Sequence, residues 1–220
     1  TQAGLPLVPW EVVFNYEWQQ SPQLVQERIE SHLGYPCFVK PANLGSSVGI
    51  SKVKNKQELN AAVELALQYD RKLVVEQGIE NAREIECSVL GHNDPQVSVP
   101  GEIVPAHEFY DYEAKYHSDD SRLIIPAELS SEQERMIKNY ARRAFQAVDC
   151  SGMGRVDFLL SEQGEIFVNE INTIPGFTHI SMYPKLWEAS GLAYNELVDR
   201  LIELALERYE ERQKLRTSLC

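Results

Sequence analysis

The chain has 220 residues, 43% of them hydrophobic, enough to bury a sizeable core and too many for a mainly disordered protein. A formal net charge of -12 excludes nonspecific binding to nucleic acid or to an anionic membrane, but leaves room for a local basic site that holds phosphate. No apolar run approaches the roughly 18 residues of a membrane span, and no stretch reads as a signal peptide.

The opening residues Thr1-Gln2-Ala3-Gly4-Leu5-Pro6 read like the middle of a protein, so a missing N-terminal region is expected. Ser21-Pro22 reads as an N-cap followed by proline at the first helical position, with Leu24, Val25, Ile29 and Leu33 as the apolar face and Gly34 as the stop. A strand is expected at Pro36 to Lys40, then a glycine-serine loop at Asn43 to Ser47 and a strand at Val48 to Val53. Leu59, Ala62, Val63 and Ala66 predict a helix from Gln57 to Tyr69, and strands follow at Lys72 to Glu76, Ile85 to Leu90 and Val97 to Val104.

From Glu108 to Asp120 the chain is polar and aromatic without a period, which predicts a long functional loop. Ser131-Glu132-Gln133-Glu134 reads as a capping box. It opens a helix whose apolar stripe is Met136, Ile137, Tyr140, Ala141, Ala144, Phe145 and Val148. A last helix is expected over Tyr194 to Lys214 with Leu197, Leu201, Leu204 and Tyr209 inward and a frayed charged end. The cysteines Cys37, Cys87, Cys150 and Cys220 have neither zinc spacing nor the density of a disulfide scaffold, so reduced thiols in the cytoplasm are expected. His107, His117 and His179 show no metal spacing.

The chemistry concentrates in two short strand-like runs, Gly154 to Leu160 and Glu165 to Ile171, joined by Ser161-Glu162-Gln163-Gly164. A two-residue loop at Gln163-Gly164 would set Asp157 opposite Glu170 and Arg155 opposite Asn172. Alternation would then put all four side chains on one face. Like charges directly opposite on paired strands destabilise a sheet, so the pair needs a cation. Two carboxylates and an amide oxygen form an all-oxygen set suited to Mg²⁺ or Mn²⁺. Solvated surface charges are the alternative, and the strand end at Asn172-Thr173-Ile174-Pro175-Gly176-Phe177-Thr178 favours function, since such loops often carry it. Upstream, Lys40-Pro41-Ala42-Asn43-Leu44-Gly45-Ser46-Ser47-Val48-Gly49 sets a cation at a strand end before a small-residue turn whose backbone could approach phosphate. An ordinary hairpin loop is the competing reading.

These segments resemble the ATP-grasp enzymes, and within them the D-alanine:D-alanine ligases of bacterial cell-wall synthesis. The resemblance rests on Phe38-Val39-Lys40-Pro41 with Gly45 to Gly49, on Ala82-Arg83-Glu84-Ile85-Glu86, on Tyr110 to Tyr116, on Gly154-Arg155-Val156-Asp157 and on Asn169 to Gly176. It covers nearly the whole chain and implies an α+β fold, two subdomains with largely antiparallel sheets sandwiching ATP. The smaller would take residues 1–83 and the larger 84–220, with the N-terminal substrate domain missing. It further implies that Lys40, with the loop at Ser46 and Ser47, contacts phosphates, that the backbone of Glu76, Gln77, Gly78 and Ile79 reads adenine, and that Glu84 binds ribose.

By the same resemblance Lys115 reaches the γ-phosphate, Asp157, Glu170 and Asn172 hold two Mg²⁺ or Mn²⁺ ions, and Arg155 faces the transferring phosphoryl group. Gly176 offers an N–H to the oxyanion, Ser181 binds the carboxylate of the second D-alanine, and Tyr116, approached by Ser46, marks D-alanine as the second substrate. Other readings stay open for Glu76 (a strand terminus), Arg155 (an ion pair) and Ser181 (a helix N-cap). The implied partners are ATP and D-alanine in the cytoplasm, with no nucleic acid or membrane and with room for a homodimer of the full-length protein. A different ATP-grasp carboxylate-amine ligase and a noncatalytic nucleotide-binding module are the alternatives.

Overall fold

The computed structural model describes residues 1–104, 122–178 and 180–216. The chain forms two compact units. One takes Leu7–Ala82 together with Val104 and Arg122; the other takes Thr1–Pro6, Arg83–Ile103 and the chain from Leu123 onward.

The smaller unit runs β1 (Trp10–Phe14), α1 (Asn15–Gln20), α2 (Pro22–His32), β2 (Cys37–Pro41), β3 (Ser51–Val53), α3 (Lys56–Ala66) and β4 (Lys72–Gln77). Its antiparallel sheet has the order β1-β4-β2-β3. Alternation sends Cys37, Val39, Leu73, Val75 and Val13 into one core with Val25 and Ile29 of α2 and Leu59, Val63 and Ala66 of α3. The opposite face carries Phe38, Lys40, Val74 and Glu76, all half-buried.

Several local expectations need correction here. The strand β1 and helix α1 were not anticipated, because Trp10–Phe14 passes into Asn15–Gln20 with no glycine or proline between them; the Phe14 amide instead donates to Glu17 Oε2 at 3.0 Å. Leu24 lies outside the buried stripe of α2 at 65% exposure, while Gln26 is buried and hydrogen-bonds Asn60. Val48 to Ile50 is not strand: the Val48 and Ile50 amides close turns onto the Gly45 and Ser47 carbonyls, so β3 begins at Ser51. Helix α3 stops at Ala66, after which the Gln68 and Tyr69 amides tighten onto the Leu65 and Ala66 carbonyls.

In the larger unit the elements are β5 (Arg83–Gly91), β6 (Gln96–Val97), β7 (Gly101–Val104), β8 (Arg122–Ile124), α4 (Ser131–Ala147), β9 (Gly152–Leu160), β10 (Ile166–Asn172), α5 (Met182–Ala189) and α6 (Tyr194–Gln213), the strand ends Val104 and Arg122 counting with the smaller unit. The strand order is β10-β9-β5-β7-β8, with β6 beside β5. Thr1–Pro6 is tied to this unit, since Val168 N donates to Pro6 O at 2.9 Å and Arg143 Nη2 to Ala3 O at 2.7 Å.

The expected strand at Val97 to Val104 is split. Ser98 turns its amide to Ser88 O, its hydroxyl accepts from Ser88 N, and Pro100 has no N–H to continue the ladder. The capping box of α4 sits one residue earlier than read: Ser130 Oγ accepts from Gln133 N at 3.2 Å and Gln133 Oε1 from Ser130 N at 3.0 Å. Val148 is exposed because the helix has ended, and Tyr209 is 61% exposed because the buried contacts of α6 end at Leu204.

One face of the larger sheet, with Ile85, Cys87, Val156, Phe158 and Ile166, is fully buried, as are Ile137, Ala141, Ala144 and Phe145 on α4, the helix packed against it. Gly154 of β9 meets the Phe145 ring so closely that a Cβ there would sit 3.0 Å from it. Phe145→Ala should therefore cost about 3–5 kcal/mol in urea unfolding. A loss within the about ±0.5 kcal/mol typical of surface positions would contradict this packing.

At one end of the opposite face Leu90 packs with Tyr183, Trp187, Leu197 and Leu204. Ser88 Oγ donates to Tyr183 O and Tyr183 OH to Val89 O, which fixes α5 there. Further along this face come Glu84, Glu86, Arg155, Asp157, Glu170 and Asn172.

Candidate metal site and the residues around it

The β9–β10 hairpin does not close with a two-residue loop. Ser161 and Glu165 pair, with Ser161 N donating to Glu165 O at 2.9 Å and Gly164 N to Ser161 O at 3.0 Å, so three residues, Glu162 to Gly164, make the turn. Gly164 takes φ +85°, a left-handed conformation that favours glycine and lets a three-residue hairpin close. That loop alone would displace the expected pairing by one position, as Leu160 opposite Ile166 shows. An irregularity at Asn169, between Val168 and Glu170, restores it: Glu170 lies opposite Asp157 and Asn172 opposite Arg155.

The four side chains meet. Arg155 Nε donates to Asp157 Oδ1 and Nη2 to Asp157 Oδ2, both at 2.7 Å, in the two-pronged geometry that a planar guanidinium allows. The Asn172 amide Nδ2 donates to Asp157 Oδ2 at 3.1 Å and to Glu170 Oε1 at 3.0 Å, so an NH₂ lies between the two carboxylates where a cation would relieve them. The ion-pair reading of Arg155 thus holds for Asp157.

A third carboxylate joins them. Glu86 of β5 lies directly opposite Asp157, is only 6% exposed, and brings Oε2 to 3.1 Å from Arg155 Nε. With all three carboxylates ionised, they and one guanidinium leave two negative charges, which one divalent cation would balance. Burial raises the Asp157 carboxyl above the ordinary carboxylate range, against the pull of Arg155. Burial disfavours the Arg155 cation as well, but Asp157 and Glu86 outweigh it and raise the guanidinium further. Among the described residues no three His, Cys, Asp or Glu side chains form a ready metal cage. The donor chemistry nonetheless fits Mg²⁺, which keeps waters and shares phosphate oxygens instead of demanding an all-protein cage.

Beyond Asn172 the loop is anchored by buried Pro175 and by Phe177, whose ring lies 5.8 Å from Tyr183 and 5.5 Å from Tyr194. This brings Gly176 beside Ser181: a Cβ on Gly176 would fall 2.9 Å from Ser181 Oγ. Ser181 holds the N-cap position of α5, yet its hydroxyl makes no cap bond; it accepts from Thr178 N at 3.1 Å and lies 2.9 Å from Thr178 Oγ1. Its side chain is therefore turned back toward the loop.

In the smaller unit Lys40 Nζ pairs with Glu76 Oε2 at 2.5 Å across adjacent strands. The Gln77 amide donates to Pro9 O at 2.9 Å and the Gly78 amide to Pro36 O at 2.8 Å, so both are already committed, and Ile79 follows outside the strand. Ser46 and Ser47 both adopt left-handed backbone, φ 55° and 59°, uncommon for residues with a side chain. Glu84 shares the face of Glu86 on β5. Lys115 and Tyr116 lie outside the described residues, with His107, His117, His179, Cys220 and the expected loop Glu108 to Asp120.

Two features escaped the sequence reading. Glu86 was legible in principle, since alternation from Glu84 puts it on the same face, but its role appears only once β5 is paired with β9. Arg83 grips Glu102 with two contacts, Nε to Oε1 at 2.9 Å and Nη2 to Oε2 at 2.6 Å, joining β5 to β7; separated by a strand and a turn, the pair leaves no local signature.

Two α+β units with antiparallel sheets, one bearing a hairpin with facing carboxylates, define an ATP-grasp protein, and solved structures agree. The D-alanine-D-alanine ligase of Coxiella burnetii superposes with a TM-score of 0.83 at 41% identity, over 97% of this chain and 56% of that one. The VanG D-Ala:D-Ser ligase of Enterococcus faecalis gives 0.81 at 39%, over 92% and 58%. The family described as D-ala D-ala ligase C-terminus matches residues 1–203, and the chain belongs to it. Proteins named D-alanine--D-alanine ligase are 58% identical in Heliobacterium modesticaldum and 55% identical in Geobacillus kaustophilus, each over 97% of this chain. The chain spans 58% of the length of those relatives.

Proposed function

We propose that the protein carrying this chain joins two D-alanines to D-alanyl-D-alanine at the expense of ATP, in the cytoplasm, for peptidoglycan precursor synthesis. One D-alanine carboxylate takes the γ-phosphoryl group, the amine of the second attacks the acyl phosphate, and ADP and phosphate leave. The observation that carries this reading is the facing pair Asp157 and Glu170 bridged by Asn172 and flanked by Arg155. A half-turn of the Asn172 amide would present its oxygen, completing with Asp157 and Glu170 an oxygen set for Mg²⁺ or Mn²⁺. Such ions would neutralise phosphate charge.

Arg155 supplies a fixed positive charge to the phosphoryl group, and Gly176 N–H meets the oxyanion beside Ser181, which takes the carboxylate of the second D-alanine. Lys40, with Ser46 and Ser47, holds phosphates. Glu76, Gln77, Gly78 and Ile79 offer their backbone to adenine, and Glu84 its carboxylate to ribose. Lys115 and Tyr116 take the γ-phosphate and the second substrate.

No helix among the described residues is long and apolar enough to cross a membrane. The partners of the proposed reaction are small molecules, ATP and D-alanine. The test is ADP formation by a protein of the relatives' full length containing this chain, with D-alanine, D-serine, D-lactate and other amino acids offered in turn. Turnover dependent on D-alanine is expected, while turnover only with a different amino acid would move the protein to a neighbouring carboxylate-amine ligase class.

A further inference from the structure

The Nε–H of Arg155 is a single hydrogen with two carboxylate oxygens in reach. Asp157 Oδ1 holds it at 2.7 Å, and Glu86 Oε2 stands behind at 3.1 Å. Asp157 is also a ligand of the proposed metal, and both its oxygens accept hydrogen bonds in this structure, Oδ1 from Nε and Oδ2 from Nη2 and the Asn172 amide. Mg²⁺ demands near-octahedral geometry at about 2.0–2.1 Å, so a carboxylate that rotates to meet it lengthens or bends its hydrogen bonds to that fork. A buried guanidinium that loses its partner carries the full cost of an unpaired charge.

We propose that Glu86 is a positioning residue: it takes over the Nε–H of Arg155 when Asp157 turns to the metal, so that the guanidinium stays aimed while its first partner is shared. The placement suits the task. Glu86 faces Asp157 across the β5–β9 ladder and is nearly enclosed, so its carboxylate has little freedom to follow solvent. It stands on β5, outside the hairpin that supplies the ligands, and can keep its position while β9 and β10 adjust. This inference rests on the reading of the hairpin as a metal and nucleotide site.

The experiment follows the Arg155 Nε–H resonance and its exchange protection, with and without Mg²⁺ and a non-hydrolysable ATP analogue, alongside Mn²⁺ affinity measured by electron paramagnetic resonance. In the wild type the proton should remain protected when Mg²⁺ is added. Glu86→Asp keeps the charge but falls short of Nε. It should lose that protection only in the presence of Mg²⁺ and bind Mn²⁺ about ten- to a hundredfold more weakly. Glu86→Gln still brings an acceptor oxygen to Nε and should retain the protection. Unchanged protection in the Asp variant, or a fall in melting temperature with metal affinity unaltered, would make Glu86 a purely structural ion-pair partner and overturn the proposal. A wild type whose spectrum and Mn²⁺ binding show no metal response at all would instead overturn the metal site itself.

Discussion

Arg155→Ala is expected to destabilise the metal-free protein by about 3–5 kcal/mol, the range for removing one partner of a buried ion pair. The guanidinium is the shared counterion of Asp157 and Glu86, and its side chain is only 20% exposed. Without it three carboxylates crowd one sheet face with only the Asn172 amide between two of them. Charge repulsion predicts the pH dependence. Burial already places the folded Asp157 carboxyl above its unfolded value of about 3.9, so the folded state holds that proton more tightly. The stability this contributes is full below the unfolded value and is lost as pH rises through the raised folded one. Removing Arg155 raises the folded value further, so the variant's deficit should be largest near neutrality and shrink on acidification. Urea unfolding across that range checks it, and a deficit independent of pH would mean that lost packing dominates.

Glu170→Gln should behave in the opposite way. Glu170 is exposed, stands opposite Asp157, and accepts from Asn172 through an oxygen that glutamine can replace. Neutralising it removes a like-charge contact, so the metal-free variant should melt no lower than the wild type. The rise in melting temperature that Mg²⁺ and an ATP analogue give the wild type should vanish, because a neutral amide is a far poorer ligand for a hard cation. A clear fall in the metal-free melting temperature would mark Glu170 as a structural ion-pair member.

The hairpin shows what sequence reading can and cannot reach. The facing of Asp157 with Glu170 and of Arg155 with Asn172 was legible, but by a route the molecule does not take: a three-residue loop displaces the register by one, and the irregularity at Asn169 returns it. Alternation survives such paired changes because only their sum decides which face a side chain occupies. Strong local patterns were likewise legible in type and blurred at their ends. The α4 cap falls on Ser130, since adjacent serines offer the same hydroxyl, and Tyr209 lies beyond the part of α6 that finds a partner. Glu86 and the Arg83–Glu102 pair depend on which strands neighbour one another, a property of the folded sheet that no local period encodes.

The Lys40–Glu76 pair adds a residue-level detail to the proposed phosphate contact. Lys40 has its own carboxylate partner in this structure, so phosphate would have to compete for it. The Gln77 and Gly78 amides donate within the protein, so in this structure neither N–H is open to adenine. Neither feature could be read from the motif around Lys40.

The charged end of the larger sheet is proposed to bind nucleotide through a divalent metal. Calorimetric titration of a non-hydrolysable ATP analogue into this chain tests it most directly, run in Mg²⁺, in EDTA, and with Glu170→Gln in Mg²⁺. Binding in the first condition and its loss in the other two is the expected result. Equal binding in Mg²⁺ and EDTA, or full binding by the variant, would contradict the claim.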